Sequence, residues 1–203
     1  MSALISAQRL KLLAPACDAE ALAPALQSAA ERYDIDTLER ASHWLGQLHV
    51  ESGGFARFVE NLNYSAPRLT QVWPGRFPTI EAAEPFARNP AALAAKVYDG
   101  RLGNLSDADA ARFIGRGLIQ ITGRANYELY GQVLGLDLLG NPGIAAQPAA
   151  AALIAGAFWN QRNLNPLADR DDVAGITRKI NGGLTGLIDR RMQVERAKRI
   201  LAA

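Results

Sequence analysis

Glu51 stands where a chain can tune a carboxyl group. Asp36 followed by Glu39 has the form of a capping box, and Leu38, Ala41, Leu45 and Leu48 then mark one face of the helix it would open. Glu51 continues that face, three residues after Leu48 and seven after Trp44, and Gly53-Gly54 supplies a stop directly beyond it. Burial on the apolar side and the negative end of the helix dipole would both disfavour the charged carboxylate. A carboxylic acid kept protonated near neutral pH suits a general acid, such as the one that protonates a leaving oxygen in glycosidic cleavage. The structural alternative is an ion pair or cap, with Arg57 a ready partner. His43 and His49 lie six residues apart, which does not match the i,i+4 spacing of a helical zinc site, and no cysteine cluster assists them. They read as structural or site-lining residues, and neither a metal nor another cofactor is expected.

The elements that must position Glu51 are helical. Alanine-rich segments carry apolar residues at three- and four-residue spacing, whereas alternating runs of Val, Ile and Thr are nearly absent. The pattern predicts helices over about residues 3–13, 18–31, 36–51, 66–73, 79–87, 90–97, 107–113, 123–135, 147–161, 171–180 and 187–201. Turns fall at Pro74-Gly75, Gly100 to Gly103, Gly140 to Gly143 and Asn181-Gly182-Gly183. The stretch from Phe55 to Tyr64 has no helical stripe and reads as a short hairpin or extended loop. It contains Glu60.

With 203 residues, 49% of them apolar and 21% charged, the chain can bury one sizeable core, and residues 1–203 are expected to form a single mainly α domain. Cys17 has no second cysteine to pair with, so this is no disulfide scaffold, and synthesis in a reducing compartment is expected. The first residues, MSALISAQRLKLLAPA, offer neither a convincing signal peptide nor a membrane span. The expectation is cytoplasmic synthesis, followed by release to the cell wall through another factor. A net charge of +2 selects no partner, and no zinc-finger, RNP or basic-arm pattern points to nucleic acid. A monomer is expected.

Four segments occur in order: His49-Val50-Glu51-Ser52-Gly53-Gly54-Phe55, Glu60-Asn61-Leu62-Asn63-Tyr64-Ser65, Gly115 through Gly123 (GRGLIQITG), and Ile180-Asn181-Gly182-Gly183. Together they resemble glycoside hydrolase family 19, the chitinase-like group that includes bacteriophage endolysins, over most of the chain from about Trp44 to Ile200. The resemblance implies a lysozyme-like helical domain with a catalytic cleft and at most a short β-hairpin. It implies that Glu51 is the acid, that Glu60 is the base activating water and that Thr122 helps hold that water. Gln120, Asn126 and Asn181 match polar positions lining the sugar cleft. An inverting enzyme of this kind places its two carboxyl groups about 6.5–9.5 Å apart, leaving room for the water beneath the sugar ring. Thr122, whose hydroxyl can donate and accept, suits that water and is also a candidate N-cap for the helix that follows. Tyr64, following Glu60 and Asn63, is the aromatic residue expected to stack on sugar; Trp159 reads as core.

The sequence departs from the family pattern in carrying Val50 directly before the acid, with His49 one position earlier. It also lacks the cysteine pairs and inserted loops of the plant chitinases. That compactness directs the expected substrate toward peptidoglycan, cleaved as by an endolysin, with a chitin-type polymer of N-acetylglucosamine as the alternative. A lytic transglycosylase using Glu51 alone and a noncatalytic glycan-binding module are the other readings. The segment from Leu187 to Leu201 carries Arg190, Arg191, Arg196, Lys198 and Arg199 against Asp189 and Glu195, so one side should dock while a basic side stays wet.

Overall fold

A computed structural model describes residues 3–203. Among the described residues twelve α-helices follow one another: α1 Ala7–Leu13, α2 Ala19–Arg32, α3 Leu38–Glu51, α4 Ala66–Val72, α5 Ile80–Ala83, α6 Pro90–Tyr98, α7 Asp107–Arg112, α8 Arg124–Leu134, α9 Pro148–Gln161, α10 Asn165–Ala168, α11 Val173–Asn181 and α12 Leu187–Ala202. Among the described residues, β structure is confined to two isolated antiparallel bridges, Val59 with Arg116 and Arg116 with Ile121. The fold is therefore mainly α, as the spacing of apolar residues predicts; within the stretch 55–64, residues 55–56 complete the turn after α3 and 57–64 form an extended loop with one bridge.

Local chemistry moves several boundaries. The first helix begins at Ala7, because the Ser6 side chain accepts from the Arg9 N–H and ends the non-helical entry there. Thr37, and not Asp36, caps α3, with its hydroxyl accepting from the Arg40 N–H at 3.2 Å. The predicted helix over 79–87 breaks after Ala83, and Glu84–Phe86 continues as a 3-10 turn around Pro85. A second 3-10 segment, Pro142–Ala146, and the single turn of α10 lie where turns or loops were expected. Both are too short to show a periodic stripe.

The chain divides into two compact units. The first comprises residues up to Phe58, Gly117–Gln120 and Gly143–Ala203, and holds α1 to α3 and α9 to α12. Its core gathers Leu10, Leu22, Leu26, Trp44, Leu45, Leu118, Ala155 and Trp159, all essentially buried. Trp159 is a core residue as expected, its indole N–H donating to Asn165 Oδ1 at 2.7 Å. The helix carrying Glu51, α3, packs along α12. Gly46 allows the close approach, since a Cβ there would lie 2.6 Å from the Val194 side chain and 2.8 Å from its backbone nitrogen.

α12 docks through Val194, Ala197 and Leu201, but its wet side is not the one charge counting predicts. Arg190 is 4% exposed, whereas Ile188 and Met192 are 77% and 55% exposed. Arg196 donates to the Leu12 carbonyl, and Lys198 pairs with Asp171 and Glu195. Of the five basic residues, Arg191 and Arg199 are exposed.

The second unit, Val59–Arg116 and Ile121–Pro142, holds α4 to α8 around Leu62, Leu69, Phe77, Leu93 and Val97. No helix among the described residues is long and apolar enough to cross a membrane.

His43, on α3, is fully buried and its Nε2 lies 2.7 Å from Asp171 Oδ1. Burial holds the imidazole below its ordinary pKa of 6.5, outweighing the hydrogen bond to Asp171 that acts the other way. The ring is thus neutral and donates Nε2–H to the carboxylate. A neutral buried histidine stabilises the fold fully above its unfolded pKa, and that contribution is lost as pH falls toward the lowered folded value. His49 is lowered too, by burial and then by Arg196, and acts in the same direction. Urea midpoints are expected to fall between about pH 7 and about pH 5, with His43→Gln flattening the dependence. A wild-type midpoint that rises over this interval would contradict the assignment.

Candidate active site

Glu51 is the last residue of α3, and the turn beyond it is fixed by Ser52. The Ser52 hydroxyl donates to the Leu48 carbonyl at 2.6 Å and accepts from the Phe55 N–H at 2.8 Å, while Gly53 and Gly54 take positive φ. The glycines let the backbone leave the helix sharply. Arg57 packs against Gly53. It does not take the carboxylate.

The partner of Glu51 is Arg190, from α12. Its Nη2 donates to Glu51 Oε1 at 2.5 Å, and its Nη1 donates to Gln47 Oε1 at 2.5 Å. Gln47 lies four residues before Glu51, hence one turn back on the same face of α3, and is buried. The planar guanidinium therefore bridges two acceptors a helical turn apart, a task suited to its fork of donors. Glu51 is 24% exposed against 4% for Arg190, so the carboxyl group opens to solvent while its partner does not. The sequence expectation of an apolar environment is corrected to this half-buried, ion-paired one.

Two other expected residues belong to this first unit. Gln120, in the turn Gly117–Gln120, has φ +51 and donates from Nε2 to the Gly117 carbonyl at 2.7 Å and to the Arg57 carbonyl at 3.4 Å. It ties its own turn to the segment after Glu51. Asn181 ends α11, is exposed, and donates to the Thr185 carbonyl at 3.1 Å across the loop leading into α12.

Glu60, Tyr64, Thr122 and Asn126 belong to the second unit. The Glu60 N–H donates to the Gly115 carbonyl at 2.8 Å. Arg116 bridges Val59 on one side and Ile121 on the other. In antiparallel pairing this register brings Glu60 and Thr122 to either side of Gly115, in one row and on one face. Glycine leaves the middle of that row without a side chain. The Glu60 carboxylate is held at both oxygens, Oε1 by the Tyr98 hydroxyl at 2.6 Å and Oε2 by the Gly115 N–H at 3.0 Å.

The Thr122 carbonyl accepts from Asn126 Nδ2 at 2.7 Å, fixing the entry to α8. Gly123, with φ +84, occupies the N-cap position considered for Thr122. Tyr64 is half-buried and packs edge-on against Trp73, ring centroids 5.3 Å apart. Its ring rests on the core of the unit. Among the described residues no group of three or more His, Cys, Asp or Glu side chains is arranged to hold a metal.

Two residues at these carboxylates escaped the sequence reading. Tyr98 carried no signal beyond being one of several aromatics. Arg190 did carry one: it stands four, seven and eleven residues before Val194, Ala197 and Leu201, on the buried stripe of α12.

A family model described as chitinase class I, of glycoside hydrolase family 19, matches residues 85–186. A glycosyl hydrolase family 19 domain-containing protein of Haemophilus influenzae is 39% identical over 161 residues, spanning 76% of each chain. The chain belongs to glycoside hydrolase family 19. This family 19 member is thus a glycosidase of the chitinase-like kind, as the four ordered segments imply. An endochitinase of Arabidopsis thaliana is 46% identical over 72 residues, covering 35% of this chain and 25% of the plant protein. The crystal structure of chitinase C from Streptomyces griseus superposes with a TM-score of 0.71 at 20% identity, over 100% of this chain and 94% of that one. The family 19 enzyme therefore has the lysozyme-like helical fold of that chitinase.

Proposed function

We propose that this family 19 glycosidase cleaves internal β-1,4 bonds of a polysaccharide containing N-acetylglucosamine, with inversion at the anomeric carbon. Glu51 protonates the leaving oxygen, Glu60 takes a proton from the attacking water, and Thr122 helps orient that water. Gln120, Asn126, Asn181 and Tyr64 bind the sugar chain. The observation that carries the reading is the row of Glu60, Gly115 and Thr122. An acceptor fixed by two donors and a hydroxyl flank a position with no side chain, as a water to be deprotonated and aimed requires.

The plant relative is an endochitinase and the Streptomyces protein a chitinase, which supports a chitin-type substrate. Peptidoglycan is the second reading, favoured by a chain with one cysteine and therefore without the cysteine pairs of plant chitinases. Both polymers contain β-1,4-linked N-acetylglucosamine. Mass spectrometry of fragments from chitin oligosaccharides and from purified peptidoglycan separates them, and early-time NMR of the new reducing end reads the anomer. Water-terminated, initially inverted products are expected. A retained anomer would overturn the mechanism, and anhydro-sugar ends would show a transglycosylase in its place.

A further inference from the structure

The base assigned above has a neighbour with no assigned role. Tyr98 is the last residue of α6, and its backbone is locked from two sides: its carbonyl accepts from the Arg101 N–H at 3.2 Å and from Asn104 Nδ2 at 2.9 Å. Its ring packs against the core that includes Leu69, Leu93 and Val97. A side chain anchored at both backbone and ring has one group left to place, the hydroxyl, and that hydroxyl donates to Glu60 Oε1 at 2.6 Å. The bond is short, as bonds from a hydroxyl to a carboxylate are.

We propose that Tyr98 is the positioning residue of the base, fixing the plane of the Glu60 carboxylate so that it meets the attacking water in one orientation. The inference rests on the assignment of Glu60 as base. The Gly115 N–H alone cannot do this. One donor on Oε2 leaves the carboxyl group free to swing about that bond, whereas a second on Oε1 defines the plane and leaves each oxygen further acceptor capacity. Glu60 stands on an extended loop rather than in a helix, so its orientation comes from these two bonds and not from a packed backbone.

The hydroxyl is suited to remain a donor. Burial first, and the hydrogen bond to Glu60 second, push the ionisation of Tyr98 far above its ordinary value, so the phenol keeps its proton wherever the enzyme works. The other ionisable groups acting on this pair are Tyr64 and Arg101 beside Tyr98, with Tyr127, itself held by Arg116, on the Glu60 side.

The test compares Tyr98→Phe with Glu60→Gln in the full chain, using a soluble N-acetylglucosamine oligosaccharide. Tyr98→Phe keeps the ring and removes the donor. Its kcat is expected to fall about tenfold to a hundredfold, as for a misplaced reacting group, with KM and Tm close to wild type. The loss is expected in kcat and not in KM, because the variant still binds the sugar but no longer holds the carboxylate to one orientation toward the water. Wild-type kcat, or a loss that appears in KM or together with a lowered Tm, would overturn the positioning role. Full activity in Glu60→Gln would instead overturn the assignment of the base.

Discussion

Glu51→Gln is expected to lower kcat by about two to four orders of magnitude, the range spanned by general acid catalysis, while the protein stays folded. The amide has the shape of the carboxyl group, and its oxygen can still accept from Arg190 Nη2, so the end of α3 keeps its place. It has no proton of usable acidity to give to a leaving oxygen. Replacing a charged acceptor by a neutral one beside a buried guanidinium costs about 1–2 kcal/mol, reduced by the partial exposure of Glu51 and too little to unfold a domain of this size. Kinetics on a soluble oligosaccharide and a thermal melt check the two halves separately. A folded Glu51→Gln enzyme with near-normal turnover would remove Glu51 from the chemistry.

The second large effect is expected at Arg190, and it combines activity with stability. Arg190→Met fills much of the same volume but leaves Gln47 Oε1 buried without its donor and Glu51 without its partner. Removing one member of such a network costs about 2–4 kcal/mol, at the lower side of the range for buried pairs because Glu51 is partly solvated. Activity is expected to fall with it, since Glu51, the proposed acid, loses the contact that sets its orientation. Arg190→Lys retains the charge but not the planar fork, and an ammonium satisfies the two acceptors poorly, so an intermediate result is expected. Urea denaturation gives the stability term, and kcat measured below the unfolding transition gives the catalytic one. A methionine variant as stable and as active as wild type would contradict both.

The legible part of this molecule is the part governed by short-range rules. α2, α3, α6, α9 and α12 repeat apolar residues at helical spacing over nine or more residues, and each was recognisable with its ends within two positions. α10 escaped because one turn begun by Asn165-Pro166 shows no period. The end of α3 was readable because Gly53-Gly54 terminates it, and the loop carrying Glu60 because its helical stripe lapses. The partners of the two carboxylates were hidden for a different reason. Tyr98 and Glu60 are 38 positions apart, and Arg190 and Glu51 are 139 apart, so both contacts are products of tertiary packing that no local pattern contains. A charge count grouped Arg190 with solvated residues, where the three- and four-residue spacing of α12 would have placed it inside.

The 139 positions between Glu51 and Arg190 also bear on how the enzyme comes into being. A ribosome releases the chain from its first residue onward, so α3 emerges long before α12 exists. During that interval Gln47 and Glu51 have no guanidinium to hold them, and the groove beside Gly46 has nothing to close it. The contacts of Gln47 and Glu51 are complete only after α12 has been translated and has folded back against α3. A nascent chain stalled before Arg190 would therefore carry both glutamates yet lack the arginine that holds the first of them.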